Sequence, residues 1–235
     1  MESPTGTGKT LCLLTASLAW LYQFRKEQAS ESESLARIIY CSRTHSQISQ
    51  VANELKHTAY QPKMCLIGSR DQLCVNPNFK DLKGMSLTAS CKKARETRRG
   101  KSGCCEYYKN VQDSLTPNAF PWTQAQDIED LHRIGKSHKV CPYFLQKNRV
   151  EFADLILMPY NYLIDPKIRE NFKIDYSNSI IIFDEAHNIE KVAEDVASFE
   201  ISINMFSIIL GELSNLLSSI EHSNLVEQNA VSNGA

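Results

Sequence analysis

Short apolar runs alternate along this chain with stretches of helical periodicity. Residues 36–42, "ARIIYCS", form an unbroken run rich in β-branched side chains, the pattern of a strand buried on both faces. "KMCLIGS" (63–69), "DLILMP" (154–159) and the start of "SIIIFDEAH" (179–187) repeat it. Between them, "THSQISQVANELKH" (44–57) sets Ile48, Val51 and Leu55 on one helical face. From Lys9 to about Lys26 there is no glycine or proline, which predicts another helix. Strands that read as continuous apolar runs belong to parallel sheets covered by helices on both faces. The expected fold is therefore α/β. "EQASESES" (27–34) reads as a polar linker; the last stretch reads as helix to about Ile220, and 222–235 as a disordered tail.

Composition narrows the class. With 42% hydrophobic and 23% charged residues, the 235-residue chain has the balance of an ordinary globular protein. Its net charge of −1 means that any basic surface for nucleic acid must be local. Residues 11–22, "LCLLTASLAWLY", mimic the apolar core of a signal peptide, but Glu2 and a lone Lys9 replace the positive flank. The run is also too short to span a bilayer, and it reads as a buried helix of an intracellular protein with no membrane partner. Eight cysteines in a chain of this length then read as reduced thiols rather than a disulfide framework.

The chemistry begins in "SPTGTGKT", residues 3–10. Ser3, Pro4, Thr5, Gly6, Thr7 and Gly8 would turn backbone N–H groups inward around phosphate oxygens at the start of a helix. Lys9 would reach the β- and γ-phosphates, and Thr10 would offer its hydroxyl to Mg²⁺. Ser3 stands where the strict pattern has glycine, and a Gly-rich helix cap explains the loop almost as well. "IIIFDEAH" changes the balance, because an apolar strand ending in paired acids suits metal-dependent phosphate hydrolysis. Asp184 would hold Mg²⁺, Glu185 would polarise the attacking water, and His187 would sense the γ-phosphate. Together the two motifs predict an ATP and Mg²⁺ site.

These motifs resemble the iron–sulfur helicases of superfamily 2, the xeroderma pigmentosum group D-like family. "ESPTGTGKT" is similar to that family's motif I, "IIYCSRTHSQ" to motif Ia and "FDEAHN" to motif II. "GSRDQLC", "CCEYYKN" and "HKVCPYFL" resemble its cluster segments, and "MPYNYLID" its stretch before motif II. Within the family, the run from residue 37 to "ASFEISI" is most similar to the telomere-elongation regulators. The resemblance implies a RecA-like P-loop sheet with a mostly helical iron–sulfur insertion, divided as motor domain 1–73, cluster domain 74–141, motor domain 142–200, and arch start with tail 201–235. It also implies an incomplete chain, lacking the strand before motif I and a second motor domain, and so inactive alone.

From spacing alone, Cys74, Cys91, Cys105 and Cys141 fit neither zinc knuckles nor ferredoxin patterns. The resemblance is what implies that these four ligate a [4Fe–4S] cluster, with Cys105 preferred to its neighbour Cys104 on the "C-x-Y-Y" context. Residues 80–109 carry nine Lys or Arg against three Asp or Glu, interleaved with Tyr107 and Tyr108. A solvated charged face is one explanation, and a groove for single-stranded DNA is the other. Arg43, Thr44, His45, Tyr160 and Asn161 are further candidates for the DNA backbone, with helix capping the competing role. The function so implied is 5′-to-3′ ATP-dependent DNA unwinding in the nucleus, on forked or looped DNA, in telomere maintenance, recombination control and repair. The alternatives are a non-motor nucleic-acid-binding module and a sister repair helicase.

Overall fold

A computed structural model describes residues 8–27, 36–113, 122, 125–172 and 174–232. Its centre is a parallel sheet of four described strands in the order β2-β3-β1-β4: β1 Arg37–Ser42, β2 Met64–Leu66, β3 Leu155–Pro159 and β4 Ser179–Phe183. All residues of β1, β2 and β3 are buried, as continuous apolar runs require. β4 is half-buried except at the exposed Ile181 and lies at the sheet edge.

Helix α1 (Lys9–Glu27) buries Leu14, Leu18 and Leu21 on one face and lies against β1 and α2. In α2 (His45–Lys56), Ile48, Val51, Ala52 and Leu55 form the buried stripe. Its first turn is closed by Thr44 and Gln47, each accepting the other's backbone N–H. β2 is shorter than the apolar run that predicts it. Ser69 caps α3 (Arg70–Leu73) with Gln72 as its capping partner, so the chain leaves the sheet early. Gly68 makes that exit possible: a Cβ there would sit 3.1 Å from Leu73 Cδ1.

Among the described residues between Cys74 and Cys141 the main elements are helices, α4 (Gly84–Glu96), α5 (Glu106–Asp113) and α6 (Ile128–His138), followed by α7 (Pro142–Arg149). It is fastened to the sheet layer by Lys56, whose Nζ reaches Asp130 at 2.7 Å and Asp127 at 3.2 Å. Short helices α8 (Asn161–Ile164) and α9 (Pro166–Phe172) join β3 to β4. The strand starts are held by one carboxylate. Asp154 pairs with Arg25 at 2.7 Å and accepts the Lys63 N–H at 2.8 Å, while its own carbonyl accepts from Ile38.

The chain divides into two compact units, Met1–Ala193 and Glu194–Ala235, with α10 (Ile189–Ala197) running across the division. The second unit is dominated by α11 (Ile203–Ser232), whose first turn is capped by the Ser202 hydroxyl. The expected disordered tail is therefore a correction: the helix continues well past Ile220. No glycine or proline stands between Gly211 and Gly234 to stop it. Ile203–Ile220 is also long and apolar enough, by length and composition, to cross a membrane.

Candidate nucleotide and cysteine sites

In parallel sheets, ligands gather where the strands end, because loops there converge beside helix N-termini. Here the carboxyl ends of β1, β3 and β4 lie together. The Asp184 N–H donates to Cys41 O at 2.8 Å, and the Tyr160 N–H to Ser42 O at 3.0 Å. Lys9 and Thr10 open α1, just after Gly8 in a left-handed conformation at φ 71°. Ser3, Pro4, Thr5, Gly6 and Thr7 lie outside the described residues.

Tyr40 shows that Thr10 and Asp184 share one place. Its hydroxyl is close enough to feel both side chains, and burial followed by the Asp184 charge raises its pKa. Yet neither neighbour meets strict hydrogen-bond geometry, and the hydroxyl of this fully buried residue (0% exposed) has no hydrogen-bond partner among the described residues. The Tyr160 hydroxyl is orphaned in the same way; burial, then Asp184 and Glu185, push its pKa up to about 12. Both hydroxyls face Asp184, and that of Tyr160 also faces Glu185, so the polar groups at this end of the sheet gather around the acids.

Glu185 sits in the left-handed region, at φ 56° and ψ 43°, as the cap of a single 3₁₀ turn, Ala186–Asn188. For a residue with a Cβ this costs about 1 kcal/mol or more, a sacrifice found where backbone strain aims a functional group. Asn188 holds the turn: its N–H and its side-chain amide both donate to Glu185 O, at 3.0 and 3.1 Å. The same amide lies 3.0 Å from His187 Nε2, while His187 Nδ1 lies 3.5 Å from Glu185 Oε2. Arg43 reaches across from the end of β1 to Asn188 Oδ1 at 3.2 Å.

The candidate DNA contacts separate into two groups. Arg43 is exposed and Asn161 half-exposed beside the sheet edge, whereas the Thr44 hydroxyl caps α2. Tyr160 is a correction: 1% exposed, with its ring 5.9 Å from that of Phe183, it does not reach the surface. His45 is half-buried, with burial pulling its pKa down to about 4, so it carries no charge for a phosphate at neutral pH. In the basic interval, Tyr108 is also spent internally. It stacks edge-on with Phe144 at 4.6 Å, and Arg95 lies over both rings. Lys92, Lys93, Arg98 and Lys101 remain exposed.

Cys74, Cys91, Cys105 and Cys141 come from four separate segments and converge within electrostatic range of one another. Cys105 couples to the other three, while Cys104 couples to Cys105. Burial raises the thiol pKa of Cys74, Cys105 and Cys141, the last to about 12. N–H groups of Asn76, Tyr108 and Phe144 oppose that effect at the sulfurs of Cys74, Cys105 and Cys141 respectively. Among the described residues, no three His, Cys, Asp or Glu are gathered tightly enough for a single metal ion. A lone tetrahedral ion would need sulfurs within about 3.8 Å of each other. Three buried thiols and the half-buried Cys74, three of the four with an N–H donor at the sulfur, suit a larger cluster with one thiolate per iron.

The sheet, the helix-start Lys9–Thr10 pair and the acids after β4 define a RecA-like α/β domain. The DEAD_2 family model matches residues 40–206, and the chain belongs to that family. The regulators of telomere elongation helicase from rat and human are each 40% identical over 235 positions, which cover 86% of this chain. The homologue from Arabidopsis thaliana is 40% identical over 90% of the chain. The chain spans 18% of the rat relative, 19% of the human and 22% of the plant one. Among solved structures, an XPD helicase superposes with a TM-score of 0.52 over 82% of this chain and 30% of its own, at 22% identity. A truncated XPD gives 0.50 over 81% and 48%, at 24%. At these identities, the two structures speak to the fold.

Proposed function

We propose that this chain is the first motor domain, with an iron–sulfur insertion, of an ATP-dependent DNA helicase. The observation that carries it is the meeting of Thr10, Asp184 and Glu185 around the orphaned hydroxyls of Tyr40 and Tyr160. Thr10 and Asp184 are the residues that would hold Mg²⁺, which supplies charge neutralisation during phosphoryl transfer. Lys9, at the first turn of α1, places an ammonium toward the β- and γ-phosphates. Glu185 orients the attacking water and accepts its proton. Arg43 and Asn161 border this edge, where a DNA strand lying across the sheet would meet them.

Cys74, Cys91, Cys105 and Cys141 would hold a [4Fe–4S] cluster, whose role in this reading is to rigidify the insertion beside the DNA path. The names of the curated relatives support a telomere setting, and with it action in the nucleus, on forked or looped DNA, in recombination control and repair. Translocation is 5′-to-3′ in this reading.

ATP turnover by the full-length protein, with and without single-stranded DNA, is the test. DNA should stimulate turnover, and Lys9→Ala should reduce it about 10²–10³-fold, the cost of losing one preorganised electrostatic contact. Unchanged turnover in the variant would sink the nucleotide site. Anaerobically purified protein should carry about four irons per chain. Stoichiometric zinc without iron would refute the cluster.

A further inference from the structure

Asn76 lies two residues beyond Cys74 and is 93% buried, at 7% exposure, although its side chain is polar. Burying an amide without partners costs roughly 1–3 kcal/mol, so its bonds explain why it is there. The Oδ1 accepts the Asn78 N–H at 3.0 Å, and Pro77 opens the short turn that Asn76 caps. Since that N–H can only donate, the oxygen is fixed on the turn side and the NH₂ group must point the other way. There it meets Cys105 Sγ at 3.5 Å. The backbone N–H of the same residue faces the sulfur of Cys74.

We infer that Asn76 is a positioning residue for the cluster, joining the sulfurs of Cys74 and Cys105 through its two N–H donors and thereby setting cluster retention and reduction potential. The inference rests on the cluster reading above. Donors to a thiolate stabilise negative charge on sulfur, and a cluster that has gained an electron carries more of it. Losing the side-chain donor should therefore make reduction harder and move the midpoint to more negative values. The anchored oxygen gives this donor its direction: the turn just after Cys74 also aims the amide at a cysteine 29 residues further along.

Two substitutions separate the donor from the turn. Asn76→Asp preserves shape and the acceptor for Asn78, but sets a carboxylate against Cys105. Asn76→Ser preserves a capping oxygen but is too short to bridge. In the full-length protein purified anaerobically, iron content, thermal melting and the midpoint from an EPR-monitored titration are measured. Both variants should melt cooperatively and lose iron faster in air than the parent, on the order of tenfold, as outer-shell losses do at metal sites. Whatever cluster remains should show a more negative midpoint, with the larger shift in Asn76→Asp. Iron-loaded parent protein whose midpoint and iron loss are unchanged in both variants would overturn the inference alone. Variants that lose the melting transition together with iron would assign Asn76 to the fold instead. A parent protein without iron would overturn the cluster reading and this inference together.

Discussion

Arg43, at the end of β1, donates through Nη1 to Asn188 Oδ1 at 3.2 Å, bridging 145 residues of sequence. Asn188 in turn holds the Glu185 carbonyl and lies against His187. In the proposed reading, the residue that would meet DNA is thus one hydrogen bond from the turn that carries Glu185. A strand that engaged the Arg43 guanidinium would compete for it with Asn188 and disturb that turn. Arg43→Ala and Asn188→Ala should both lower the ratio of DNA-stimulated to basal ATPase. Only Arg43→Ala should also weaken single-stranded DNA binding and reduce its salt dependence. An unchanged stimulation ratio in both would show that the bridge is only a surface contact.

Glu185→Gln should bind ATP normally and turn it over about 10²–10⁴-fold more slowly. The amide has nearly the same shape and tolerates the same backbone, but it cannot accept the water's proton. Nucleotide affinity measured alongside turnover decides the role. If both fall together, Glu185 is structural.

Tyr40→Phe removes a hydroxyl that is buried without a hydrogen-bond partner among the described residues. In the nucleotide-free protein this should be neutral or stabilising, by up to about 1–2 kcal/mol, because an unsatisfied polar group disappears. With Mg-ATP added, the variant should gain less in melting temperature than the parent, having lost a group that faces Thr10 and Asp184. Equal gains would mean that the hydroxyl takes no part in the site.

His45 gives the fold an acid sensitivity. Burial pulls its pKa down from the ordinary 6.5 to about 4, and its ring meets the Tyr162 ring edge-on at 6.2 Å. Between these values the unfolded chain binds a proton that the folded chain refuses, so stability falls as pH drops from about 6.5 toward 4. The loss is about 1–3 kcal/mol, allowing for the partial solvation of the ring. Denaturant melts of His45→Gln across this range should lack that component. A parallel pH profile in parent and variant would assign the sensitivity elsewhere.

The parts of the fold visible in the amino-acid pattern were those governed by local period. The run around Ile38 and Ile39 had to be a buried strand, and Ile48, Val51 and Leu55 had to share a helical face. The order of the strands was not visible, because β3 enters between β1 and β2 only through pairings distant in sequence, Ile38 and Met64 both standing opposite Leu155. Asp154 escaped notice for the same reason: it reads as a polar residue before a strand, and its value comes from Arg25 and Lys63. At the candidate sites, Lys9, Thr10, Asp184 and Glu185 were proposed from motif alone. Tyr40 did not, since a tyrosine inside an apolar strand looks like core. Asn76 left a faint signal, an Asn-Pro turn beside a cysteine, and Asn188 lay in plain view after "DEAH". Tyr108 misled, because a tyrosine among basic residues suits nucleic acid as well as the internal stacking it makes here.

The left-handed backbone at Glu185 sets durability against activity at one position. Glycine would relieve the conformational strain there at no steric cost, and Glu185→Gly should leave the folded chain as stable as the parent or slightly more so. A search that rewards only heat resistance or soluble yield would therefore accept glycine here and discard the proposed proton acceptor without any warning from the readout. Stabilising this domain safely means holding residue 185 fixed and seeking gains elsewhere, for instance along the half-buried face of β4.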